Sequence, residues 1–263
     1  MKYIMSCCIC GAVKNVGKYL DKIFSNIEKI GSLFENYVII FYYDHSTDNT
    51  LQKMKEYQAK VGVERFIFYV NKVEVSKYRT HRIANARNNC LQIIKNNYID
   101  WPYFIMIDCD DRCSEDVKPY ILQKYLGRND WDSLSFNKKD YYDIWALSIR
   151  PYMFSFVHFK SNALISMKKY IDKLLRRVPA GGLLKCASAF NGFAIYRTSK
   201  FINCTYDGRP RLDLIPKSVL KTNKKVLNSA IYEGLEDCEH RAFHLEAIQK
   251  YGARIRISSE IVF

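Results

Sequence analysis

The sequence contains no internal repeat, no low-complexity linker and no hinge rich in proline or glycine; only 6 prolines and 11 glycines occur in 263 residues. A chain of this length without such punctuation reads as one domain in two functional halves, long enough to bury a real core. No run of about 18 apolar residues occurs, so no membrane-spanning helix is expected. Met1–Ile9 is apolar but short, and it lacks a cationic stretch and an Ala-x-Ala-like cleavage site, so a signal peptide is not expected either. Disorder is excluded by an apolar fraction of 48%. Glycines are also missing where a nucleotidyltransferase would need them, because the stretch from Gly11 to Gly17 supplies no glycine-rich loop after the first strand.

The cysteines form no pairing scheme. There are nine, an odd number, and several sit in apolar, strand-like stretches (Cys7, Cys8, Cys10, Cys109), which predicts buried free thiols in a reducing compartment. Cys7-x-x-Cys10 has the spacing of a redox pair or zinc half-site. No second C-x-x-C completes a zinc site, and the helix that a redox pair would open begins only around Lys14. Asn203-Cys204-Thr205 is a lone glycosylation sequon, expected to be silent without a signal peptide.

Acidic residues are scarce. Asp plus Glu is 27 against 41 Lys plus Arg, a formal charge of +14. The obvious reading of that excess is a basic nucleic-acid-binding protein, which would gather its cations on one surface with aromatics between them. Here they scatter over many helices, apart from Lys168-Lys169 and Lys173–Arg177. An anionic donor, an acidic glycan or a peripheral membrane contact near that cluster explains the charge equally well, and no nucleic-acid partner is expected.

Strand and helix patterns alternate through the first half. Tyr3–Ile9, Tyr37–Tyr43, Arg65–Val70 and Tyr103–Ile107 are apolar runs of strand length. Helices are predicted from Val16 to Ile30, from the Ser46–Asp48 caps to about Lys60, across Ile83–Ile94, and over Ser114–Leu126. In the second half Ile165–Arg177 looks helical and basic, Lys185–Arg197 strand and turn, Glu236–Lys250 helical, and Ala253–Ile257 a short final strand. This βαβαβαβα order predicts an α/β fold, a mostly parallel central sheet with helices on both faces, whose ligands bind beyond the carboxyl ends of the strands.

Four segments carry chemistry. Tyr103–Asp111 is an apolar strand ending in Asp108-x-Asp110-Asp111. A helix cap needs one Asp; three acids within four positions call for a cation, held by hard oxygen ligands, that neutralises a diphosphate. Asp44 ends another apolar strand, where a carboxylate can accept hydrogen bonds from a base or ribose, whereas turn and cap chemistry accounts for Ser46 to Asp48. Arg79, Arg82 and Arg87 stand near a helix start, a place for phosphate, although at least one belongs to a solvated face. After Gly234 come Glu236, Asp237, Glu239, His240 and His244. On a helix Asp237, His240 and His244 share a face, where an acid can serve as general base and a His can complete a metal site. The Glu of H-E-x-x-H is absent, which excludes that protease.

Together these residues resemble a GT-A fold (Rossmann-like) glycosyltransferase. The order of Ile40–Leu51, Arg82–Asn88, Tyr142–Leu147, Phe190–Arg197 and Cys238-Glu239-His240 is similar to the fungal capsule-associated α-1,3-mannosyltransferases and their relatives. The match touches the chain from about Tyr3 to His244. The Lys-, Asn-, Tyr- and Ile-rich composition suggests AT-rich coding DNA, hence a viral or protist relative and a role in viral glycosylation within the host cytoplasm. The resemblance implies a nucleotide-sugar-binding half over residues 1–130 and an acceptor-binding and catalytic half over 131–263. It implies Mn2+ or Mg2+ as cofactor, a UDP- or GDP-linked donor, and a glycan or glycoprotein acceptor. Asp44 and Ser46 would contact the nucleoside, and Arg79, Arg82 and Arg87 the nucleoside or phosphates. Asp108 would bind ribose or metal, Asp110 metal, and His240 would be a further ligand. Trp145, Asn191 and Gly192 would shape the sugar or acceptor pocket, and Glu236, Asp237 and Glu239 are the candidate catalytic acids. If the reaction inverts, Asp237 is the preferred base; if it retains, no strong base is required.

Two departures bear on specificity: His45 stands where the family often has a second acid, and Ala146-Leu147 runs into Ser148-Ile149-Arg150 rather than Arg-Asp. The family's membrane anchor is missing, so a cytoplasmic, non-secreted address is expected. A GT-A shell without turnover, acting as a partner subunit, is the remaining rival, and the intact Asp-x-Asp argues against it.

Overall fold

The computed structural model describes residues 3–154, 163–221 and 235–263. Eight strands form one sheet: β1 (Tyr3–Val13), β2 (Phe34–Tyr43), β3 (Phe66–Val70), β4 (Tyr103–Asp108), β5 (Ser133–Asn137), β6 (Leu183–Cys186), β7 (Phe193–Arg197) and β8 (Ile255–Ile261). Their order is β3-β2-β1-β4-β7-β5-β8-β6. The β3-β2-β1-β4 block and the β5–β8 pair are parallel, while β7 runs antiparallel between β4 and β5 and β6 antiparallel on the far edge. The helices are α1 (Gly17–Gly31), α2 (Thr50–Val61), α3 (Arg79–Asn97), α4 (Pro119–Gln123), α5 (Ala163–Leu175), α6 (Thr198–Phe201) and α7 (Glu239–Tyr251).

Alternation along the central strands divides the core into two layers, because successive side chains point to opposite faces. Ile9, Phe41 and Ile105 pack beneath α1 and α2 with Leu20, Phe24, Ile27 and Met54. Cys8, Ile40, Phe104 and Met106 pack beneath α3 and α7 with Ala84, Cys90, Ile94 and Phe243. Both faces are covered, which is why these strands read as continuous apolar runs rather than alternating ones. All nine cysteines are free, and all but the half-buried Cys186 are buried, as their apolar settings predicted. No described helix is long and apolar enough to cross a membrane.

Two expected elements change and one strand is new. The helix predicted over Ser114–Leu126 shrinks to α4. Upstream of it, Asn26 Nδ2 donates to the carbonyls of Cys113 and Glu115 and Asn26 Oδ1 accepts from the Val117 N–H, so this backbone is spent on α1. Pro119 then holds Lys118 outside the helical region. The last helix begins at Glu239 rather than Glu236, because Glu236 and Asp237 are drawn to other partners and Cys238 is extended. β5 has no counterpart among the expected strands; its two serines, Ser133 and Ser135, are fully buried and break the apolar pattern.

Candidate functional site

The carboxyl ends of β1, β2 and β4 lie side by side. Asp108 is in register with Ala12, Ala12 with Tyr42, and the Asp44 N–H donates to the Val13 carbonyl. Two cavities open there. One, of about 370 Å3, reaches from Lys14, Tyr42, Asp44 and Arg82 to Asp108. The other, of about 450 Å3, reaches from Asp108 to Tyr142, Trp145, Phe190 and Glu239. Arg79, Ile83, Arg87, Asp108 and Asp110 line both, so together they form one cleft with the acidic turn at its middle.

The first cavity depends on an arrangement of caps. Asn15, Val16 and Gly17 begin α1, and their N–H groups donate to Ser46 Oγ, Thr50 Oγ1 and Asp48 Oδ2, each at 2.9 Å. Asp48 Oδ1 also accepts from the Thr50 N–H at 3.0 Å, so one carboxylate serves the first turns of two helices. Gly17 leaves room for this approach: a Cβ there would stand 2.0 Å from Asn49 Oδ1 and 3.0 Å from the Thr50 nitrogen. Ser46 is buried and held by these bonds, so it shapes the loop and does not line the cavity. Asp44 does line it, with Lys14 Nζ 3.0 Å from Oδ2 and Asn71 Nδ2 3.1 Å from Oδ1. Burial works against its charge, but these partners and the His45 N–H hold the carboxyl below its usual range. Arg82 secures the neighbouring loop, its Nη1 donating to the carbonyls of Ser76 and Lys77 at 2.9 Å. Arg79, exposed at the start of α3, has no hydrogen-bond or ion-pair partner for its guanidinium among the described residues.

At the centre, Arg87 is buried and donates to Asp108 Oδ1 at 3.0 Å and to Glu239, with Nη1 also against His240 Nε2. Burial opposes its charge, but Glu239 and Asp108 raise its pKa. Asp108 Oδ2 accepts from the Tyr142 hydroxyl at 3.0 Å. Burial pushes the Asp108 carboxyl up to about 7; Arg87 pulls against this, and Asp110 adds to it. Asp110 is raised as well, chiefly by burial, while Oδ1 accepts from the Arg112 N–H at 3.0 Å. Burial and the Asp108 charge drive the Tyr142 phenol far up, so its hydroxyl keeps its proton and donates.

These carboxylates suit a hard divalent cation. Mg2+-like ions are held by one or two carboxylates completed by substrate phosphates and water. Two acids at a buried strand end, both disfavoured as charged groups, supply that donor set. Among the described residues no three His, Cys, Asp or Glu side chains are arranged around a metal position. His240 does not fit the ligand role expected of it. It lines the second cavity and is neutral, as a ligand must be, but its ring is buried and stacked on Phe190 at 3.9 Å and its Nε2 faces Arg87 Nη1 rather than the two carboxylates.

The acids after Gly234, a residue outside those described, separate. Glu236 accepts from the Thr80 N–H and hydroxyl at 3.0 and 3.1 Å and so caps α3; these bonds lower its pKa. Asp237 is buried and paired with Arg241 Nε at 2.9 Å, with its own N–H on the Gly208 carbonyl. Neither lines the cleft; Glu239 does. Asn191 and Gly192 stand behind the wall rather than in it. Asn191 Oδ1 accepts from the N–H groups of Tyr142 and Asp143 at 3.3 Å, and the Gly192 carbonyl accepts from the Asp108 N–H at 2.8 Å. Trp145 is on the wall, and its buried Nε1 has no hydrogen-bond partner among the described residues.

Motif reading passed over Tyr142, Asp143, Arg112 and Phe190, all of which line the second cavity, and Arg241, which anchors the carbonyls of Trp145, Leu147 and Met153. Only the i, i+4 spacing of Asp237 and Arg241 gave a local sign. The five segments of the resemblance do converge: each sends at least one residue to the cleft, through Asp44, Arg87, Trp145, Phe190 and Glu239.

No curated protein matches the sequence. Several solved structures are similar. A mannosyltransferase from Pyrobaculum calidifontis, in complex with GDP-Man and Mn2+, is 12% identical with a TM-score of 0.46, over 78% of this chain and 48% of that one. S. aureus TarS 1–349 in complex with UDP-GlcNAc is 15% identical with a TM-score of 0.47, over 98% and 57%. The M. tuberculosis glucosyl-3-phosphoglycerate synthase in complex with Mn2+, UDP and phosphoglyceric acid is 11% identical with a TM-score of 0.41, over 75% and 57%. The chain thus spans about half the length of these structures. The sequence profile described as glycosyl transferase family 2 matches residues 8–194, from β1 through the acidic turn to the start of β7, and the chain belongs to that family.

Proposed function

We propose that the protein transfers a sugar from a UDP- or GDP-linked donor to a hydroxyl acceptor on a glycan or glycoprotein, with a divalent cation at Asp108 and Asp110. The observation that carries this is the placement of both carboxylates on the wall shared by the two cavities. A diphosphate bridging the cavities would lie against them, with the nucleoside toward Asp44 and the sugar toward Trp145. Mn2+ or Mg2+ bound there would offset the charge that develops on the leaving diphosphate. Arg79 adds a guanidinium for the phosphates, and Asp44 offers the base or ribose an acceptor. Of the three acids considered for the base, Glu239 is the one placed to touch substrate. It becomes an acceptor for the incoming hydroxyl proton once Arg87 turns to the diphosphate.

The ordered recurrence of segments similar to the capsule-associated α-1,3-mannosyltransferases supports a relationship to those enzymes closer than the fold. Mannose from a GDP-linked donor is the first pair to test. Thermal-shift measurements with UDP- and GDP-sugars, with and without Mn2+, should give a cation-dependent rise for one base; no rise with any donor overturns the reading. Asp110→Asn should abolish cation-dependent transfer, and undiminished transfer would remove the acidic turn from the mechanism.

A further inference from the structure

We infer that Tyr142 is the positioning residue that orients Asp108 toward its cation and ties that carboxylate to the wall carrying Trp145. The inference rests on the cation-binding role proposed for Asp108.

The Asp108 carboxylate is clamped from two sides, by Arg87 Nη2 on Oδ1 and the Tyr142 hydroxyl on Oδ2, each at 3.0 Å. A carboxylate oxygen has two lone pairs, so each retains one, and the clamp fixes the direction in which those lone pairs point. Arg87 also serves Glu239 and can leave Asp108 when substrate phosphates arrive; Tyr142 has no other hydrogen-bond acceptor for its hydroxyl among the described residues.

The phenol is itself held. The Tyr142 backbone N–H donates to Asn191 Oδ1 at 3.3 Å, and the next carboxylate, Asp143, accepts from the Asn191 and Ala146 N–H groups at 3.1 Å. These bonds join Tyr142 to the turn that presents Trp145. On the ring's face sits the Arg112 guanidinium, 4.6 Å from the centroid, and the Arg112 N–H is the one that holds Asp110. One side chain therefore touches the supports of both acids.

Gly192 leaves space for the hydroxyl as well as meeting the demand of its left-handed backbone for glycine. Its φ is +86°, and a Cβ there would stand 2.5 Å from the Tyr142 oxygen, whereas the next nearest atoms, Cys113 Sγ and Tyr142 Cζ, are at 3.5 Å. A phenylalanine ring would tolerate that Cβ; a tyrosine does not.

The test is calorimetric titration of the purified chain with MnCl2 in the presence of UDP or of GDP, for the wild type, Tyr142→Phe and Asp110→Asn. Partners that orient a metal ligand are worth about 10- to 100-fold in affinity, so Tyr142→Phe should weaken Mn2+ binding by about tenfold while the melting temperature changes little. Gly192→Ala should lower the melting temperature more when introduced alone than when combined with Tyr142→Phe, because the collision is with the hydroxyl. Equal Mn2+ affinity in the wild type and Tyr142→Phe, with binding lost in Asp110→Asn, overturns this inference alone. A wild type that binds no Mn2+ with either nucleotide overturns it together with the proposed function. A Tyr142→Phe protein that fails to fold, or an unchanged effect of Gly192→Ala in the double variant, marks the tyrosine as structural packing and also overturns it.

Discussion

Replacing Arg87 with Met keeps most of the side chain's length and removes the charge that two buried acids share. Glu239 is nearly enclosed, with 6% of its side chain exposed, while Asp108 retains 27%. Breaking a buried pair by deleting one partner costs about 3–5 kcal/mol, and the partial exposure of Asp108 places Arg87→Met at the lower end, about 3–4 kcal/mol. Unfolding entropy of roughly 2.1 cal/mol/K per residue, over a chain of this length, converts that to a fall of about 5–7 °C in melting temperature. The sign of the pH dependence follows from linkage. A carboxyl whose folded pKa lies above its unfolded value makes the native state bind more protons, so stability falls as pH rises between the two values. Stranding Asp108 raises its folded value above about 7, and the deficit of Arg87→Met should therefore grow as pH rises from about 6 to about 9. If Asp108 and Asp110 hold the cation, Mn2+ at about 100 times its dissociation constant should return about 2.7 kcal/mol. Thermal melts across that pH range, with and without Mn2+ and a nucleoside diphosphate, measure all three effects. A melting temperature within about 1 °C of wild type at every pH would show that Arg87 is not the counter-ion of this cleft.

Asp48→Ala removes the acceptor for the first turns of α1 and α2 and should cost about 1–2 kcal/mol, seen as a lower urea midpoint. Burial raises the Asp48 pKa, but its bonds from Thr50 and the Gly17 N–H outweigh that and lower it. The stability it confers is thus present above the unfolded pKa and lost as pH falls through the folded one; a gap from wild type that persists in acid refutes the assignment. Asp237→Asn leaves Arg241 buried and unpaired, and should destabilise by about 3–5 kcal/mol while the folded fraction keeps its turnover within a few-fold. Glu239→Gln should do the reverse, lowering turnover by about 100-fold or more with a smaller loss of stability; the opposite pattern would return the base to Asp237. Glu236→Gln keeps an acceptor for Thr80 and should leave donor KM and kcat nearly unchanged, since its oxygens cap α3 and do not reach the cleft.

The parts legible in the sequence were those whose cause is local. The central strands are apolar because both faces are covered, and Asp108 and Asp110 stand where a buried strand meets solvent, so composition alone placed the parallel block and the acidic turn. Short-range signals failed where a side chain is claimed by something distant in sequence. Ser114 to Lys118 have helix-compatible residues, but their backbone groups answer to Asn26, on α1. Glu236 and Asp237 read as the first turn of a helix, yet Thr80, Gly208 and Arg241 take them, and two of the three candidate acids leave the cleft as a result. For Asn191 and Gly192 a place in the pocket is implied only by the resemblance, and nothing local in the sequence bears on it. Their turn exists to give Tyr142 room and to accept the Asp108 N–H, a purpose visible only once residues 108, 142 and 192 are neighbours. The same reasoning bears on the charge. Lys plus Arg outnumbers Asp plus Glu by 41 to 27, but the buried arginines, Arg87 and Arg241, are paired with Asp108, Glu239 and Asp237. Arg79, the exposed arginine on the wall common to both cavities, has no partner for its guanidinium among the described residues and can meet a diphosphate without giving one up, so the basic excess of the whole chain says less about the ligand than this one side chain does.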